Sequence, residues 1–150
     1  MITFARLLGL LFAACIALAH GAAAQSVADT VTRWGLIGTW SLDCTKPASG
    51  SNGYLTYVVR GAGKVAHERE FGDRRDTNDV QQARTGVGGT LDLVVHFPGL
   101  NQTRKYTMMM ASDRRTRAMN NSRIDGTEQT IKDGKFTANG GVTPWQSRCR

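Results

Sequence analysis

The side chains able to do chemistry are few, and their spacing scatters them. Two histidines, His67 and His96, fall on separate predicted strands, while a metal centre wants three or four clustered ligands. His67 shares a strand face with Val65, Arg69 and Phe71, which reads as an ordinary sheet position. Met108-Met109-Met110 offers soft thioethers, but consecutive strand residues point to opposite faces, so the three form no single site. Met108 and Met110 would instead face the interior beside Tyr106. Glu68 and Glu70 lie on one strand face among basic residues, as solvated partners rather than a catalytic pair. Gly86, Gly88 and Gly89 imitate a phosphate loop but lead into a strand, so they read as a turn. No G-x-S-x-G, H-E-x-x-H or Walker loop is present. The expectation is a non-enzymatic protein with no cofactor.

The basic residues suggest contact with a partner. Arg104 and Lys105 precede a predicted turn near Ser112-Asp113, and Arg114, Arg115, Arg117 and Arg123 follow it. Antiparallel pairing would gather them into a cationic strip for a polyanion or an acidic protein, unless Asp113, Asp125 and other acids neutralise it as a solvated face. The formal net charge of +7 suits either reading. Nucleic acid is not expected, because few aromatic residues accompany the strip.

Cys44 and Cys149 are the two cysteines beyond residue 24, and an even count in an exported chain reads as a disulfide. A bridge closing about 100 residues would remove unfolded-state entropy equivalent to roughly 4 to 5 kcal/mol. A reactive or metal-binding pair would show C-x-x-C spacing or nearby histidines, and neither is there.

Export follows from the first 24 residues. Arg6 precedes an apolar run from Leu7 to Ala19, and Ala22-Ala23-Ala24 supplies an A-x-A site, the order of a secretory signal peptide cleaved after Ala24. The run is too short to span a bilayer as a helix, so no transmembrane segment is expected. Phe12-Ala13-Ala14-Cys15 imitates a lipobox, but the apolar run continues past Cys15. The expected product is a periplasmic or secreted single domain, residues 25–150.

The elements that must position these residues are mostly strands. Val27, Val31 and Trp34 share one face of a short helix ending at Gly35. Beyond it the period becomes two: Trp40, Leu42 and Cys44 alternate with polar residues. Further strands are predicted over 54–60, 64–71, 90–97, 102–111 and 116–124, with a weaker, polar one over 80–85. Asp133-Gly134 is a type I′ hairpin turn between 129–132 and 135–138. Eight or nine short strands and no second helix predict an all-β antiparallel fold, a sandwich or an up-and-down barrel, and the run of sequential hairpins favours the barrel. A disulfide from the first strand to the C-terminus would pin the seam.

The segment Trp34-Gly35-Leu36-Ile37-Gly38-Thr39-Trp40, a short helix followed by G-x-W, resembles the opening of lipocalin and calycin barrels. The resemblance implies about eight strands, with Gly38 and Trp40 plugging one end and Arg148 covering the indole by cation–π stacking. The family's T-D-Y motif and long C-terminal helix are absent. The ending from Thr143 to Cys149 also resembles the tail of small, uncharacterised exported proteins of alphaproteobacteria. A small apolar or amphipathic ligand inside the barrel is the implied function. The alternative is a periplasmic protein-binding module, similar to barrel-shaped protease inhibitors, acting through loops or the basic strip.

Overall fold

The computed structural model describes residues 25–150. The leader expected over 1–24, with its cleavage after Ala24 and the lipobox alternative at Cys15, lies outside the described residues.

Helix α1 (Val27–Trp34) starts at a capping box. The Asp29 N–H donates to the Ser26 hydroxyl at 3.1 Å, and the Asp29 carboxylate accepts from the Ser26 backbone. Gly35 closes the helix at φ 93°, a left-handed conformation that favours glycine. Its apolar face, with Val31, joins Leu36 in the core, and both are fully buried.

The rest is one curled antiparallel sheet. In chain order its strands are β1 (Gly38–Ser41), β2 (Tyr54–Arg60), β3 (Lys64–Phe71), β4 (Arg74–Thr85) and β5 (Leu91–Phe97). They continue as β6 (Gln102–Met110), β7 (Thr116–Arg123), β8 (Gln129–Lys132), β9 (Lys135–Phe136) and β10 (Ser147–Arg148). Neighbours in sequence are neighbours in space, and β10 returns to pair with β1. The up-and-down all-β expectation therefore holds, with ten strands in place of about eight because the last two are two-residue pieces. Register shifts in the β4–β5, β6–β7 and β7–β8 pairings, which leave one residue unpaired in β4, β7 and β8, interrupt the ladders and bend the sheet locally.

The seam is stitched rather than laddered. Gln146 and Thr116 exchange both backbone hydrogen bonds, and Val142 bridges Lys135. The Cys149 N–H donates to the Thr39 carbonyl at 2.7 Å. Cys44 and Cys149 are disulfide-bonded, as the even cysteine count leads one to expect. Cys44 itself lies beyond β1, because the buried Asn52 carboxamide accepts from the Ser41 hydroxyl and the Asp43 N–H, both at 3.0 Å, and turns the chain at Leu42.

Helix α1 closes one end of the curl. Its first turn meets the β2–β3 turn, where the Ala28 N–H donates to the Gly63 carbonyl at 3.0 Å. Its last turn meets the β4–β5 turn, where the Trp34 indole N–H donates to the Gly89 carbonyl at 2.7 Å. Gly35 packs against Arg114 in the β6–β7 turn, and a Cβ there would lie 2.8 Å from the guanidinium. In an up-and-down sheet these three turns lie at the same end. Trp40 sits beneath them, and its indole N–H donates to the Leu36 carbonyl at 2.7 Å. The inner wall continues through Leu91, Leu93, Val95 and Phe97, all buried on the face the alternation predicts.

Candidate functional site

Alternation aims one residue in two at the interior, and in the middle of the curl those residues do not fill it. A cavity of about 400 Å³ remains. Its apolar lining includes Leu55, Phe71, Met108, Ala118, Ile131 and Phe136. Pro144 and Gln146, on the disulfide-held C-terminal segment, complete the wall at the seam. Depressions of similar or larger volume lie elsewhere on the protein. One of them is lined by polar and charged side chains such as Thr56, Glu68 and Arg75. The interior cavity alone among these combines a mainly apolar lining with buried polar groups.

Three of its polar groups, Tyr57 on β2 and His67 and Arg69 on β3, are tied together and to partners on β4. The His67 ring stacks on Tyr57 with centroids 4.5 Å apart and meets Phe97 edge-on at 6.1 Å. Only 3 % of His67 is exposed, and neither ring nitrogen has a hydrogen-bond partner among the described residues. Burial, helped by the Arg69 charge, pushes its pKa down to about 3, so the imidazole is neutral at physiological pH. Burial also raises the Tyr57 and Tyr106 phenols.

Arg69 and Asp76, opposite one another on β3 and β4, form a two-pronged ion pair; the Nε–Oδ1 distance is 2.9 Å. The guanidinium lies 4.6 Å over the Phe97 ring. Arg69, with the Asn78 carboxamide donating at 2.6 Å, holds the Asp76 carboxyl below its usual value. The fully buried Asn78 also donates to the His67 carbonyl at 3.1 Å, which locks β4 to β3 at the histidine.

No family model matches this chain, and neither a curated protein nor a solved structure is detectably similar to it.

The sequence-predicted residues divide sharply. The expected cationic strip does not form as one surface. Arg104 points inward and is 8 % exposed, and its guanidinium donates to Asn121 at 2.7 Å and to Gln102, Thr130 and Glu128 at 3.1 to 3.2 Å. The signal was available: Arg104 has the same parity as Tyr106 and Met108, and the Met109 between Met108 and Met110 is exposed. Lys105 lies on the outer face beside a groove shared with Arg84 and Asp92. Arg123 pairs with Asp125 at the far end of β7 from Arg114, Arg115 and Arg117. Arg115 pairs with Asp113, and Arg117 stacks on Trp145 at 4.5 Å.

Gly38 and Trp40 sit in β1, and Trp40 is buried beneath α1 and the Leu36 carbonyl. Arg148 is opposite Trp40 in register, but its side chain runs along Gly38 and stays exposed. The cation–π pairs found among the described residues fall instead on Phe97 and Trp145, so the covering role expected of Arg148 belongs to the Leu36 carbonyl and α1.

Glu68 and Glu70 pair with Arg60 and Arg75 on the outer face. His96 shares a hydrogen bond with Thr103 at 3.1 Å. Among the described residues no three His, Cys, Asp or Glu side chains are grouped to hold a metal, and no helix is long and apolar enough to cross a membrane. Sequence reasoning missed Asp76 and Asn78, because the run from Arg74 to Asp79 looks like a loop. Its signal was the alternation Asp76, Asn78, Val80, which here faces inward.

Proposed function

We propose that this protein is an exported, non-enzymatic binding protein that holds one small ligand inside its curled sheet, in the manner of lipocalin-like barrels. The observation that carries this reading is the interior cavity of about 400 Å³. Clefts of roughly 300–1,000 Å³ are the usual size for small organic ligands. The apolar wall suits the ligand's body, and Tyr57, His67, Arg69 and Asn121 suit a polar end. An imidazole with two unpartnered nitrogens costs stability in a folded core, a cost typical of positions kept for function. The disulfide supports export, because such bridges persist in oxidising compartments. The protein-binding alternative loses its main support with the division of the basic strip.

The test is saturable binding of the neutral fluorophore 1-aminoanthracene. One probe should bind per chain, and Ala118→Trp, which fills the cavity, should abolish binding while circular dichroism is unchanged. Equal enhancement by both proteins, or none by the parent, would overturn the proposal.

A further inference from the structure

Resting on that reading, we infer that the ligand's polar end is uncharged, an alcohol, carbonyl or amide rather than a carboxylate or an amine. Among the described residues Arg69 is the one charged side chain lining the cavity, and Asp76 grips it through two hydrogen bonds, so the pair presents almost no net charge. Every other polar group on the wall is neutral: the phenols of Tyr57 and Tyr106, the imidazole of His67, and the side chains of Asn121, Thr143 and Gln146.

A ligand carboxylate placed on Arg69 would come close to the Asp76 carboxylate and leave water without a counter-charge of its own. Burying an uncompensated charge costs far more than burying a hydrogen-bonded neutral group. A ligand ammonium would meet Arg69 itself. An uncharged acceptor faces neither penalty. The guanidinium has five N–H donors, of which Asp76 takes two, leaving three for a carbonyl or hydroxyl oxygen.

The experiment compares 1-octanol, octanamide and octanoate, equal in chain length and different in the polar end, by calorimetric titration at pH 7. The two neutral compounds should bind at least tenfold tighter than octanoate. Asp76→Asn keeps the shape of the pair and removes its negative partner, so octanoate should gain at least tenfold on octanol. Octanoate binding the parent as tightly as the neutral compounds overturns the inference and leaves the cavity reading standing. Failure of all three to bind overturns both. The parent series decides even if Asp76→Asn does not fold.

Discussion

Replacing His67 by phenylalanine should make the protein more stable and remove a pH dependence. The imidazole is held neutral in the fold, with a pKa near 3 against an ordinary 6.5. The unfolded chain therefore takes up a proton below 6.5 that the folded chain refuses until about 3. The histidine's contribution is intact above 6.5 and is lost as pH falls toward 3, at about 1.4 kcal/mol per pH unit. Between pH 8 and pH 5 that amounts to about 2 kcal/mol. Phenylalanine keeps the stack on Tyr57 and the edge contact with Phe97. It removes two buried nitrogens without partners, worth about 1–3 kcal/mol at neutral pH.

The assay is urea unfolding of parent and His67→Phe at pH 5, 6, 7 and 8, followed by tryptophan fluorescence. The difference between the two curves isolates this one residue, because Asp76 and the other carboxylates are common to both proteins. The variant should lead by about 1–3 kcal/mol at pH 7, and its lead should grow by about 2 kcal/mol at pH 5. Parallel pH curves would refute the buried neutral imidazole, and a variant weaker at pH 7 would show that the nitrogens have partners.

Three further outcomes follow from the packing. Cys44→Ala with Cys149→Ala should cost up to about 4 to 5 kcal/mol in thermal or urea unfolding and weaken 1-aminoanthracene binding, because Pro144 and Gln146 lose their anchor. Gly53→Ala would put a Cβ 2.2 Å from the Phe71 ring; it should cost about 1–3 kcal/mol and lower probe affinity by moving a cavity wall. Arg104→Met should destabilise by about 1–3 kcal/mol, since Asn121, Gln102 and Thr130 lose a shared donor, whereas Lys105→Met on the outer face should stay within about 0.5 kcal/mol.

Period two in the apolar strands made the fold legible. Leu91, Leu93, Val95 and Phe97 announce one buried face, and Gly35 marks the end of α1. The site was legible only in part. His67, Arg69 and Phe71 could be placed on one face, but a strand as polar as the start of β4 carries no apolar signal. Its inward Asp76 and Asn78 are stabilised by partners on β3, a pairing visible only after folding. Arg104 was misjudged because charge outweighed parity: a neighbouring Lys105 suggested a surface strip, although adjacent strand residues must face opposite ways. The seam was hidden for another reason. Val142 and Gln146 make isolated bridges and β10 pairs with β1 over only two residues, and pairings so short leave no periodic trace.

The adjacent methionines allow the most direct check that the interior is where a ligand goes. Met108 lines the cavity and Met109, one residue on, lies on the outer face. With methionine methyl groups labelled by carbon-13, addition of 1-octanol should shift the Met108 resonance progressively to saturation and leave Met109 in place. A shift at Met109 with Met108 unmoved would put the binding surface outside the sheet and contradict the account.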